Sequence, residues 1–174
     1  GTAGAVLEVV RRTGISGLAE IEIREGRAAG TVLLNIFWKT SSGPAELQAI
    51  TDGLLSSSSP TGCASWVPRK HGSFSPRLAW GSDILTERMD GILFEIGAGS
   101  FFQVNTAILP AVIEAVTAAA GLSGRETLAD VYGGVGTFGL ALAKKAGRVF
   151  VVESFPDNLD RLESNIARNR LDNV

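Results

Sequence analysis

Hydrophobic and polar residues alternate along an early stretch of the chain. In residues 18–24, Ile21 and Ile23 alternate with three charged side chains after Leu18, and residues 31–38 form an apolar run after a glycine-containing turn. A period of two is typical of a strand with one buried face, so these two runs predict a β-hairpin. Residues 5–12 fit either a first strand or the end of a helix.

Residues 44–97 continue with short elements separated by polar turns. After Pro44, leucine and isoleucine recur at helical spacing, and Asp90-Gly91 is a strong turn signal between two apolar runs. The predicted elements are a helix at 44–55, a strand at 63–67, a polar loop at 69–76, and a hairpin of strands 83–88 and 91–96. We therefore predict that residues 1–97 form a central α+β domain with a mainly antiparallel sheet.

The pattern changes near residue 98 to helices that alternate with short apolar strands. The predicted elements are helix 106–120, strand 127–132, helix 137–146, strand 148–152 and helix 156–169. Asn105 is the expected N-cap of the first of these helices, and Pro110 is expected to break or kink its first turn. This order is the opening of a doubly wound parallel sheet, so we predict an α/β fold with a Rossmann-like second domain at residues 98–174.

Composition narrows the class of protein. The chain is 45% hydrophobic and 20% charged, with a net charge of −2, so it has no general attraction to nucleic acid. No apolar run approaches 18 residues, which argues against a membrane span. One cysteine, Cys63, is too few for a cysteine-built metal site or an internal disulfide. We expect a cytoplasmic protein without a metal.

The most informative segment is residues 130–136 (DVYGGVG), with Glu153 at the end of the next strand. A strand feeds a turn that lets a ligand lie against the backbone, and the later acid can accept the ribose hydroxyls of an adenosine. Two cofactors fit this pattern, because residues 134–139 also match the dinucleotide motif G-x-G-x-x-G. Asp130 favours S-adenosylmethionine, since its charge attracts a sulfonium and repels a pyrophosphate.

Residues 99–106 (GSFFQVNT) and 130–138 (DVYGGVGTF) together resemble the RNA uracil-C5 methyltransferase family. Residues 17–24, 81–85 and 93–96 are similar to the central domain of that family. The resemblance implies a class I methyltransferase that uses S-adenosylmethionine to methylate a uridine in transfer or ribosomal RNA. Two alternatives are a non-catalytic RNA-binding domain with a degenerate methyltransferase fold, and an NAD-binding oxidoreductase.

The resemblance also implies the cofactor-binding residues. They are Gln103, Tyr132, Thr137 and Glu153, and the glycines of the turn, Gly133, Gly134 and Gly136, complete the predicted cofactor-binding set. Three of them have a plain structural alternative: Gln103 as a helix-capping amide, Tyr132 as a core aromatic and Glu153 as a solvated acid.

In the family, a cysteine thiolate adds to C6 of uracil and a carboxylate later removes the C5 proton, and both groups lie far downstream of the glycine turn. Cys63 precedes that turn, so we expect it to be a buried strand residue and the chain alone to be inactive. Arg69, Lys70 and His71 either touch RNA or form a solvated loop.

Only two strands of the parallel sheet are predicted, at residues 127–132 and 148–152. Parallel strands normally have neighbours on both sides and helices on both faces. We therefore expect this region either to self-associate or to be poorly ordered.

Overall fold

A computed structural model describes residues 2–27, 29–40, 44–57, 60–68 and 74–174. The chain divides into two compact units, one of residues 1–26 and 30–85 and the other of residues 27–29 and 86–174. The predicted domain boundary at residue 97 lies inside the second unit.

The first unit contains a four-stranded sheet and two helices. Its elements are α1 (Thr2–Thr13), β1 (Leu18–Gly26), β2 (Thr31–Trp38), α2 (Pro44–Ser57), β3 (Gly62–Pro68) and β4 (Phe74–Gly81). The sheet order is β1-β2-β3-β4, with β1/β2 and β3/β4 antiparallel and β2/β3 parallel. The hairpin at β1 and β2 and the helix at α2 confirm the sequence predictions.

The core of this unit lies where α1 and α2 cover one face of the sheet. Its buried residues are Val6, Val9, Leu34, Ile36, Trp38, Ile50, Leu54 and Cys63. Val6 and Val9 lie three positions apart on one side of α1, whereas Leu7 between them is exposed. That spacing buries a helical stripe, which decides the open question about residues 5–12 in favour of a helix.

Strand β4 corrects the prediction of a polar loop over residues 69–76. The strand begins at Phe74, which pairs with Pro68, and Ser75 pairs with Val67. Pairing with β3 supplies backbone hydrogen-bond partners that no local periodicity in this segment indicates. Residues 69–73, including Arg69, Lys70 and His71, lie outside the described residues.

The second unit begins with a hairpin and continues as alternating helices and strands. Its elements are β5 (Ile84–Met89, whose first two residues belong to the first unit), β6 (Ile92–Gly97), α3 (Leu109–Ala120), β7 (Thr127–Val131), α4 (Thr137–Ala143), β8 (Arg148–Val152) and α5 (Pro156–Asn169). Asp90 and Gly91 both have positive φ, as a two-residue hairpin turn requires. The predicted hairpin around Asp90 is confirmed.

Helices α3 and α4 are shorter than predicted. Helix α3 begins at Leu109, its N-cap is Ile108 without a side-chain cap, and Asn105 is therefore not the N-cap. Pro110 lies in the first turn, where a backbone N–H has no helical acceptor, so it neither breaks nor kinks the helix. Helix α4 ends at Ala143 rather than at residue 146.

Strands β7 and β8 are parallel and in register from Thr127 opposite Arg148 to Val131 opposite Val152. Alternate positions of the pair face opposite sides, and Val131, Phe150 and Val152 are exposed on one of them. After α5, the Asn173 carbonyl accepts the Val149 N–H at 2.8 Å, so the chain returns beside β8. Among the helices that the structure describes, none is long and apolar enough to cross a membrane.

Candidate cofactor-binding site

The turn between β7 and α4 is packed on one side and open on the other. A Cβ atom on Gly133 would lie 2.3 Å from Val151 Cγ1, and one on Gly136 would lie 2.6 Å from Leu140 Cγ. A Cβ on Gly134 would meet nothing within 4 Å. Two glycines are therefore required by packing, while the third exposes backbone to open space.

Asp130, on β7, holds the first turn of α4. Its Oδ2 accepts the Gly139 N–H at 2.8 Å, and the N-cap residue Gly136 has no side chain that could do so. Burial raises the pKa of Asp130, and the hydrogen bond from Gly139 opposes that rise. Asp130 thus provides from the strand the acceptor that an N-cap side chain normally provides.

Glu153, just after β8, ties the two strand ends together. Its Oε1 accepts backbone N–H groups from Ser154 at 2.6 Å and Phe155 at 2.9 Å. Its Oε2 accepts the Gly134 N–H at 2.9 Å and the Asn158 side-chain amide at 3.3 Å. These donors, the Phe155 N–H foremost, hold the pKa of Glu153 below its ordinary value, so the side chain is a carboxylate at neutral pH.

Tyr132 lies at the end of β7 with a backbone conformation that aromatic residues rarely adopt. Its φ is 63°, its N–H donates to the Val152 carbonyl at 2.8 Å, and it is 88% exposed. The alternative of a core aromatic is therefore wrong. A strained and exposed aromatic residue beside an open turn is typical of a ligand-binding position.

The other two predicted residues are less open. Thr137 is the first residue of α4 and is only 8% exposed, so little of its side chain is free for a ligand. Gln103 is half-buried in the irregular segment between β6 and α3, next to Val104, which is almost fully exposed. Helix α3 has no side-chain cap, so Gln103 does not act as the capping amide of that helix.

Two residues that contact the turn and its acid were missed by the sequence analysis. They are Asn158, which donates to Glu153, and Asn165, whose side chain donates to the Val135 carbonyl at 3.1 Å. A signal was present: Asn165 and Asn169 lie four residues apart in the predicted helix 156–169, although asparagine is a poor helix former.

Cys63 lies in the first unit, fully buried in β3. Burial raises the pKa of its thiol to about 12, so the sulfur is a neutral thiol at physiological pH. The prediction of a buried strand cysteine is confirmed. Within the part of the chain that the structure covers, no group of three or more histidine, cysteine or acidic residues is arranged to hold a metal ion.

Comparison with known proteins places this geometry in context. Residues 79–174 match the family described as tRNA (uracil-5-)-methyltransferase. An uncharacterized RNA methyltransferase of Listeria innocua is 39% identical over 98 residues, which are 56% of this chain and 22% of the relative. The 23S rRNA (uracil(747)-C(5))-methyltransferase of Pyrococcus abyssi is 30% identical over 152 residues, which are 87% of this chain and 36% of the relative.

The fold is also found in a solved structure. The tRNA (uracil-54, C5)-methyltransferase of Pyrococcus abyssi, in complex with S-adenosyl-L-homocysteine, superposes with a TM-score of 0.76 at 25% identity. The match covers 98% of this chain and 43% of that protein, so the chain spans less than half the length of these relatives. The fold is that of a Rossmann-like methyltransferase, and the chain belongs to the tRNA (uracil-5-)-methyltransferase family.

Proposed function

We propose that this chain is the cofactor-binding part of an enzyme that methylates C5 of uracil in RNA with S-adenosylmethionine. The observation that carries the proposal is the open backbone at Gly134, bordered by the exposed Tyr132 and the ionised Glu153, in a chain of this family. Bound there, the cofactor supplies an electrophilic methyl group.

The proposed cofactor contacts follow from the contacts within the site. Gly133, Gly134 and Gly136 form the turn against which the cofactor lies, and Tyr132 offers an aromatic face. Glu153 receives the ribose hydroxyls. A carboxylate has on the order of four lone-pair positions, and four protein donors already point at Glu153, so the ribose competes with them. Gln103 and Thr137 complete the proposed set.

The hydrogen bonds of the turn favour S-adenosylmethionine over a dinucleotide. A pyrophosphate binds through backbone N–H groups of a glycine turn and a helix N-terminus. Here the Gly134 N–H donates to Glu153 and the Gly139 N–H donates to Asp130. Two N–H groups that an anion would use already donate to Glu153 and Asp130, and the negative charge of Glu153 would oppose a pyrophosphate. A cationic sulfonium meets no such opposition.

We assign no catalytic group to Cys63. A thiolate is the reactive form of cysteine, and a buried thiol with a pKa near 12 is protonated at neutral pH. Methyl transfer is therefore proposed as an activity of the whole protein, with RNA as its substrate, and no residue of this chain is assigned as the nucleophile or the base.

Thermal unfolding and calorimetry with S-adenosylhomocysteine and with NADH test the proposal. We expect S-adenosylhomocysteine to bind and NADH not to bind. Glu153→Gln should lower the affinity for S-adenosylhomocysteine by roughly tenfold or more, because hydrogen bonds to a charged group contribute about 1.5–3 kcal/mol.

Glu163→Gln is the matched control, since Glu163 is an exposed residue on α5. Its affinity should equal that of the original chain. Binding of NADH alone would favour the oxidoreductase alternative. Binding of RNA by a chain that takes up neither cofactor would favour a non-catalytic RNA-binding domain.

A further inference from the structure

Helix α5 docks against β6 through two asparagine side chains spaced one helical turn apart. Asn169 accepts the Leu93 N–H at 2.8 Å and donates to the Leu93 carbonyl at 2.7 Å. Asn165 accepts the Glu95 N–H at 2.7 Å and donates to the Glu95 carbonyl at 3.1 Å. The two amides therefore bind the backbone N–H and carbonyl of two alternate residues of β6, Leu93 and Glu95, as a neighbouring strand would.

The two asparagines differ in where their remaining amide proton goes. Asn169 donates it at 2.8 Å to the carbonyl of Asn165, within the same helix. Asn165 donates it at 3.1 Å to the carbonyl of Val135, in the middle of the glycine turn. One side chain thus joins the turn to the docked helix and strand.

Asn165 is completely buried, and its hydrogen-bonding groups are matched to this position. Both amide protons have carbonyl acceptors, and the amide oxygen has a backbone donor. Aspartate could not donate to two carbonyls, and an apolar residue would leave three backbone groups without this partner. The asparagine amide combines two donor protons and one acceptor oxygen, which is the set that these three backbone groups require.

The turn is held from both sides of Val135. The preceding residue, Gly134, donates its N–H to Glu153, and the Val135 carbonyl accepts from Asn165. The Gly136 N–H closes the turn by donating to the Gly133 carbonyl at 2.9 Å. The Asn165 hydrogen bond is therefore one of the contacts that fix the backbone next to the open Gly134.

We propose that Asn165 is a positioning residue that holds the glycine turn in its cofactor-binding conformation. This inference rests on the proposed cofactor site. It predicts that removal of the Asn165 amide reduces the affinity for cofactor beyond what the accompanying loss of stability explains. Asn169 provides the comparison, because it makes the same pair of hydrogen bonds to β6 and none to the turn.

The experiment compares Asn165→Ala and Asn169→Ala in the full chain by thermal unfolding, by calorimetry with S-adenosylhomocysteine and by amide hydrogen exchange. Both variants should lose stability. Asn165→Ala should bind S-adenosylhomocysteine about tenfold more weakly than Asn169→Ala, and its turn amides at Gly134 and Gly136 should exchange faster. If Asn165→Ala does not fold, Asn165→Ser, which is too short to reach Val135, replaces it.

Equal affinities and equal turn protection in the two variants would overturn the inference. If the original chain binds no S-adenosylhomocysteine, the proposed function fails, and the exchange rates still decide whether Asn165 orders the turn. Faster exchange at Gly134 and Gly136 in Asn165→Ala alone supports the positioning role in either case.

Discussion

Alanine substitution at two glycines of the same turn distinguishes a loss of stability caused by packing from a loss of cofactor affinity. Gly134 and Gly136 both have positive φ, 59° and 91°, so an alanine at either position is strained by about 1–2 kcal/mol. At Gly136 the new methyl group would also lie 2.6 Å from Leu140 Cγ and 2.7 Å from Leu162 Cδ1, both in buried side chains. Overpacking of that kind adds about 1–3 kcal/mol.

We therefore expect Gly134→Ala to destabilise the second unit by about 1–2 kcal/mol and Gly136→Ala by about 2–5 kcal/mol. Gly134→Ala should nevertheless abolish most cofactor binding, because its methyl group occupies the open space where the cofactor is proposed to lie. Urea unfolding, monitored by hydrogen exchange of amides in α4, measures the free energy of unfolding of the second unit. Calorimetry with S-adenosylhomocysteine measures the cofactor affinity.

Tryptophan fluorescence reports on the first unit and is the internal control for the variants Gly134→Ala and Gly136→Ala. The three tryptophans, Trp38, Trp66 and Trp80, all belong to the first unit. Equal loss of stability in the two variants, to within about 0.5 kcal/mol, would refute the packing argument. Unchanged affinity in Gly134→Ala would refute the placement of the cofactor at the open backbone.

Three further predictions concern other parts of the chain. Cys63 should resist a thiol reagent until the first unit unfolds, and the chain should form no denaturation-resistant adduct with 5-fluorouridine RNA; an adduct lost in Cys63→Ser would contradict its structural role. Hydrogen bonds, first of all the one from the Ser123 hydroxyl, lower the pKa of Glu126 to about 2. Ionised Glu126 therefore stabilises the fold fully at a pH above the pKa of about 4.3 that it has in the unfolded chain, and this contribution disappears as the pH falls toward 2. Glu126→Gln should flatten acid unfolding in that window, and an unchanged profile would contradict this. The exposed apolar face of β7 and β8 should promote self-association in light scattering; a strict monomer whose residues 127–170 exchange as slowly as the β1–β2 hairpin would count against it.

The elements predicted well are those whose boundaries are set by nearby residues. Strand β8 and helix α5 match the prediction. The apolar run of β8 ends just before the charged Glu153, and Pro156 is a residue favoured at the first position of a helix. The predicted start of α3 was wrong because Asn105 is a good cap locally, yet the chain from residue 101 to 108 follows the packing of Phe102 and Leu109 in the core.

The sequence by itself determined most of the helices and strands, the buried position of Cys63 and the family, because periodicity and short motifs are local properties. It did not determine α1, which it left open between strand and helix, or β4, which it placed in a loop. It also indicated Glu153 and the glycines of the turn. Only the tertiary structure decided that Asp130 completes the start of α4, that Glu153 already binds Gly134, and that Asn165 joins the turn to β6. Those contacts bridge residues 9, 19 and 30 positions apart, and β6 lies 70 positions before Asn165. A hydrogen bond across such separations depends on how strands and helices pack, which no local pattern of residues records.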